Sequence, residues 1–199
     1  MCLLDGPYSL LVAHRSLLSI GVIVSVWSLE SLWRGQAHRV LLLVGPALVL
    51  DLGTALAGRA ALAGQRVLYL DGANAFDPYI PARLAREAGR DPRPVLDRLF
   101  ISRAFTCHQL ETLMVDRLEA AIRARRPGLV VISGWSTLFH DENVPFHEAL
   151  RLLEATARSV RRLAERGTPF LATHEDGPQT PRPRPLASAT RSTTRRRPA

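Results

Sequence analysis

The chain of 199 residues contains no lysine: all 26 basic side chains are arginine, set against 18 acids. A phosphate-binding P-loop lysine, a Schiff-base lysine and a lysine general base are thereby excluded before any fold is considered. Cysteine is nearly as scarce. Cys2 and Cys107 stand in no CxxC or other ligand spacing, so no disulfide framework is expected and a reduced, cytoplasmic setting is the default. Aromatic residues are only 6% of the chain, yet 47% is hydrophobic and 22% charged, the composition of one globular domain. Long apolar runs are missing too. Residues 16–29 (SLLSIGVIVSVWSL) carry no charge but fall short of the roughly 20 residues a helical membrane span needs, and no membrane contact is expected. Their length suits a signal-peptide h-region. No small-x-small cleavage site follows cleanly, which favours an apolar strand or a stretch translated from an early start codon. Residues 1–37 are therefore read as an apolar extension to a domain at 38–177.

What charge there is divides unevenly. The net charge is +8. Residues 178–199 hold Arg182, Arg184, Arg191, Arg195, Arg196 and Arg197 and no acid, contributing +6, while the other 177 residues carry 20 arginines against 18 acids. This Pro, Arg, Ser and Thr tail lacks the apolar side chains that would offset its ordering entropy, and is expected to be disordered. Its six arginines are the candidate nucleic-acid contacts. The competing reading is a solvated tail with no specific partner.

From residue 38 onward apolar strands alternate with helices. Strand-like runs cover residues 39–44, 66–70, 99–102, 129–132 and 168–173. Helices are expected over 48–63, closed by Gly64, over 78–88 with Pro81 in the first turn, and from Thr106, where Gln109 completes a capping box, to Arg125. Residues 91–97 read as a linker or helical turn, and 133–144 as a polar loop. A last amphipathic helix places Phe146, Ala149, Leu150, Leu153, Ala157, Val160 and Ala164 on one face and ends at Gly167. The alternation predicts an α/β domain with a mostly parallel sheet covered by helices on both faces. Chemistry in such sheets collects at the carboxyl ends of the strands.

Residues 67–174 resemble the core of the RecA superfamily, specifically the RadA-type recombinases. The segment Leu70-Asp71-Gly72-Ala73-Asn74-Ala75-Phe76-Asp77-Pro78 is similar to that family's strand ending Asp-Thr-Glu-Gly-Thr-Phe-Arg-Pro. Asp91-Pro92 and Val95-Leu96 follow where the family often has Leu-Asp-Pro and Val-Leu. Arg103-Ala104-Phe105-Thr106-Cys107-His108-Gln109 is similar to Arg-Ala-Tyr/Phe-Asn-x-x-His-Gln. Residues 129–138 fall where the second nucleotide motif is expected, and residues 170–174 where a strand ending Thr-Asn-Gln is expected. The resemblance covers a little over half of the chain and implies a truncated RecA-like P-loop NTPase fold, with a place in DNA recombination or repair.

The same comparison implies that the nucleotide motifs are degenerate. A P-loop needs Gly-x-x-x-x-Gly-Lys-Ser/Thr, whose backbone N–H groups cradle phosphates while the lysine neutralises them and the hydroxyl binds magnesium. This chain has Gly45-Pro46-Ala47-Leu48-Val49-Leu50-Asp51-Leu52 there. The water-orienting glutamate aligns with Ala73 and the metal aspartate with Ser133. Gly45, Pro46, Asp71, Asn74 and Ser133 are then the remnants of a nucleotide site, with no catalytic residue, no metal and no cofactor expected. ATP with magnesium, bound by an obscured motif, is the alternative, and a protein–protein scaffold is a third reading. A RecA-like protein is a candidate partner.

Other clusters read more plainly. His140-Asp141-Glu142, His147-Glu148 and His174-Glu175-Asp176 match no compact zinc spacing, and solvated loop and helix-start charges account for them. Cys107 and His108 lie in the first turn of a helix, where they are not expected to face each other. Asp71 and Asn74 suit turn formation as well as ligand binding.

Overall fold

The computed structural model describes residues 11–13 and 40–176; the 16–29 stretch and the arginine tail lie outside them. The Val, Leu and Ile runs form strands at Val40–Gly45 (β2), Val67–Asp71 (β3), Leu99–Arg103 (β4), Leu129–Ser133 (β5) and Phe170–Glu175 (β6). A sixth, Leu11–Ala13 (β1), precedes them. All pair in parallel in the order β1-β2-β6-β5-β3-β4, with Leu11 to Ala13 in register with Leu41 to Leu43. The sheet thus begins upstream of the expected boundary at residue 38. β3 and β5 are buried along their whole length, because helices cover both faces and leave no position for alternating polar residues.

Helices α1 (Leu48–Leu62), α2 (Tyr79–Glu87) and α3 (Pro92–Leu96) cover one face. There Val49, Leu56, Ala57, Ala61, Ala85 and Val95 pack on Leu43, Val67, Tyr69, Val131 and Leu171. Helices α4 (Cys107–Thr112), α5 (Leu118–Arg125) and α6 (Phe146–Glu165) cover the other, where Leu110, Met114, Leu152 and Leu163 meet Leu68, Leu70, Val130, Ile132 and Phe170. Residues 91–97 resolve into α3, with the Asp91 side chain accepting from Arg93 N at its start. Among the described residues no helix is long and apolar enough to cross a membrane.

Two helices differ from their expected form. The helix from Thr106 is not continuous: a π-helical turn, Leu113–Arg117, separates α4 from α5. The extra residue breaks the regular ladder, and the Met114 carbonyl accepts a 2.7 Å bond from Ser159 Oγ of α6, a side chain only 2% exposed. At its start Thr106 Oγ1 accepts from Gln109 N at 3.2 Å, while Gln109 Oε1 accepts from Phe105 N rather than from Thr106 N. The buried stripe of α6 is also rotated from the expected one. Leu152, Thr156, Ser159 and Leu163 line it with Ala149, Val160 and Ala164, whereas Phe146, Leu150 and Ala157 are exposed. The apolar count alone misplaced the face because Thr156 and Ser159 bury hydroxyls that have partners: Thr156 Oγ1 accepts from Trp135 Nε1 at 3.0 Å.

Replacing Ser159 by alanine leaves the Met114 carbonyl without its partner in the core. Ser159→Ala is expected to lower unfolding stability by about 1–3 kcal/mol, read as a shifted urea midpoint at unchanged slope. An unchanged midpoint would show that the π turn needs no such bond.

Candidate functional site

In the sheet β3 leads to helices on one face, while its neighbours β4 and β5 lead to helices on the other. Divergence of that kind opens a crevice at the carboxyl ends, where ligands bind in doubly wound sheets. Here hydrogen bonds cross between the strand ends. Gly72 N donates to Ser133 O at 2.9 Å, and Gly134 N donates to Thr173 Oγ1 at 3.1 Å, drawing the ends of β3, β5 and β6 together. Gly134 has φ of 63°, and a Cβ built on it would lie 2.6 Å from the Ala73 Cβ.

Gly45, Pro46, Asp71, Asn74 and Ser133, the positions that the resemblance would give to a nucleotide, share this end of the sheet. β2 ends at Gly45 and α1 begins at Leu48, so only Pro46 and Ala47 separate strand from helix. Val49 N and Leu50 N already donate to Pro46 O and Ala47 O, at 2.8 and 3.0 Å. A cradle needs a wider loop with several inward N–H groups. The helix start instead presents Leu48, 67% exposed, and the exposed carboxylate of Asp51.

Asp71 is fully buried, and its carboxylate is engaged inside the protein. Oδ1 accepts from Ala75 N and Oδ2 from Phe76 N, each at 3.1 Å, and Arg103 Nε lies 3.4 Å from Oδ2. Asn74, exposed with φ of 53°, occupies the turn that this carboxylate closes. Of the two readings of Asp71 and Asn74, these contacts are those of turn formation. Ser133, in register with Asp71, is fully buried, and its Oγ has no hydrogen-bond partner of ordinary geometry. One row along, the Tyr69 hydroxyl bonds Thr54 Oγ1 at 2.9 Å; burial pushes its pKa up, against lowering by the Ser133 and Thr54 hydroxyls. Sequence reasoning missed Tyr69 and Thr54. Their only signal was a polar atom on a face otherwise apolar.

Cys107 and His108 do face each other, contrary to the expectation. Sγ lies 3.5 Å from Nδ1, and His108 Nε2 lies 3.0 Å from Glu148 Oε1 at the start of α6. The first-turn geometry of α4 lets the imidazole fold back over its own helix start and reach across to its neighbour. This chain of thiol, imidazole and carboxylate lacks the access and the lowered thiol pKa of an activated nucleophile. Cys107 is 1% exposed, and burial pushes its thiol pKa up, with Asp141 and Glu148 raising it further. His174 Nδ1 lies 2.5 Å from Ser136 Oγ, and His140, Glu142 and His147 are exposed. Among the described residues no three His, Cys, Asp or Glu side chains converge as a metal site. Acids dominate the end face, with Asp51, Asp77, Asp141, Glu142, Glu175 and Asp176 around it, while Arg103 is paired with Asp71. Such a surface repels a polyphosphate.

Gly134→Ala is expected to cost about 2–4 kcal/mol, combining a left-handed backbone penalty with overpacking against Ala73. Denaturant unfolding checks it, and a loss under 1 kcal/mol would mean the strand ends are not tightly closed. Glu148 supplies a pH test. Its hydrogen bond with His108 holds its carboxyl below the ordinary 4.5, so the stability it adds is present above that value. That stability is lost as pH falls through the lowered folded pKa. The stability–pH curve of Glu148→Gln should therefore be flatter on the acid side; curves of equal slope would rule the contact out. No known protein-family model matches the chain.

Proposed function

We propose that the chain is a non-catalytic RecA-like domain, an accessory in DNA recombination or repair that meets nucleic acid through its arginine tail and works beside a RecA-like protein. The observation that carries the non-catalytic part is the two-residue link, Pro46 and Ala47, between β2 and α1. Phosphoryl transfer depends on positioning and charge stabilisation, and this turn offers neither a cradle nor a cation. Supporting the RecA-like part, the positions that the resemblance gives to nucleotide chemistry, Gly45, Pro46, Asp71, Asn74 and Ser133, all fall at one end of the sheet, at or just beyond the ends of β2, β3 and β5. The nucleic-acid part rests on six arginines without an acid over residues 178–199. A cytoplasmic setting accords with Cys107, a free buried thiol.

Affinity for a labelled DNA duplex, measured against salt, tests the reading. Six phosphate contacts imply a log–log slope of about −5, and changing Arg182, Arg184, Arg191, Arg195, Arg196 and Arg197 to glutamine should flatten it. An unchanged slope removes the tail from the account. Tight magnesium-dependent ATP binding by calorimetry overturns the non-catalytic part.

A further inference from the structure

The amino end of the sheet is the opposite of the acidic end in charge. Arg66 precedes β3, Arg98 precedes β4, and Arg125 and Arg126 precede β5. Backbone and guanidinium bonds join them into one row: Arg66 Nη1 donates to Arg125 O at 3.1 Å, Gly128 N to Arg66 O at 2.9 Å, and Val67 N to Arg98 O at 2.9 Å. With neighbouring strands about 4.8 Å apart, the row spans roughly 10 Å across β5, β3 and β4. Arg90 and Arg93 extend it along α2 and α3.

How these guanidiniums are held is the informative point. Arg66, Arg90 and Arg98 donate to the carbonyls of Arg125, Leu62 and Pro94, and Arg125 lies over the Phe100 ring, 4.4 Å from its centre. A carbonyl or a ring fixes a guanidinium without cancelling its formal charge. None of the six arginines is in an ion pair among the described residues, whereas Arg123, Arg162 and Arg166 share Glu119 and Arg83 and Arg158 each have an acid four residues away. Asp91 and Asp97 are the acids nearest in sequence; Asp91 accepts from the Arg93 backbone N–H. Six arginines against these two acids leave a fixed charge of +4 on one edge.

We infer that this edge is a second nucleic-acid surface, a rigid strip that takes the phosphate backbone without reading sequence. The inference shares with the proposed function only the premise that the chain meets nucleic acid, and is independent of the tail. A phosphate backbone requires fixed positive charge and nothing apolar. A lipid surface calls for apolar side chains beside the basic ones. The most exposed large apolar side chains, Leu48, Tyr79, Phe105 and Phe146, lie at or beside helix starts at the other end of the sheet.

The test uses the full chain and a labelled duplex. Arg66→Gln, Arg93→Gln and Arg126→Gln together should weaken binding on the order of tenfold at low salt and reduce the slope by about 3. Arg83→Gln, Arg117→Gln and Arg158→Gln, the same loss of charge elsewhere, should change affinity far less. Circular dichroism verifies that both variants fold. Equal effects from the two sets, or none from the strip set, would overturn the inference, as would tighter binding to phosphatidylserine vesicles or polyglutamate than to DNA at matched salt. The six-fold tail variant separates the two ideas: the strip effect must persist in that background, whatever removing the tail charges does.

Discussion

The buried carboxylate of Asp71 is the interaction on which the end of this domain depends. A carboxylate removed from water is costly unless its oxygens find donors, and here two backbone N–H groups and a guanidinium surround it. Through them one side chain fixes the turn over residues 72–76 and ties edge strand β4 to β3. Its own carbonyl accepts from Ala104 N at 3.1 Å, which sets where the chain leaves β4 toward α4. Asp71 is therefore a keystone of the strand ends, with both of its oxygens bonded within the protein.

Closure at Asp71 propagates along the sheet. Ser133 sits beside it in register, and next to Ser133 the Thr173 hydroxyl receives Gly134 N. The last row of β3, β5 and β6 is thus polar, buried and satisfied from within, except at Ser133 Oγ. α1 packs directly on this row: a Cβ on Gly53 would come within 2.8 Å of Thr173 Cγ2.

The α/β architecture was legible because apolar runs of five or six residues, separated by amphipathic segments, leave few other ways to bury both faces. Helix ends at Thr106 and Asp91 were legible or nearly so, since caps are local. What sequence could not supply was anything carried by a hydrogen bond across elements. The π turn at Met114, the buried hydroxyls of Thr156 and Ser159 that rotate α6, and the contact between Tyr69 and Thr54 all join residues distant in the chain. The chain of Cys107, His108 and Glu148 was missed for a related reason: adjacency on a helix argues against contact, yet a backward-folded imidazole brings Nδ1 to the thiol. Strand β1 was hidden because three residues carry no period.

The missing lysine acquires a structural meaning at the amino edge. A guanidinium presents five donors in a planar fork, so one N–H can bind a helix-end carbonyl while others point outward still charged. An ammonium on a flexible stem holds no such fixed geometry. Arg66 on Arg125 O and Arg90 on Leu62 O use the fork in this way, and each bound carbonyl lies at a helix terminus, where the dipole favours a cation. Helix-capping chemistry and charge display are then the same contact, which is how a domain with a nearly balanced total charge keeps one edge positive and the other acidic. Arginines stand in the last turns of α1, α2, α5 and α6, as Arg59, Arg86, Arg123 with Arg125, and Arg162, where the helix dipole favours them, while Asp51 and Glu148 stand in the first turns of α1 and α6.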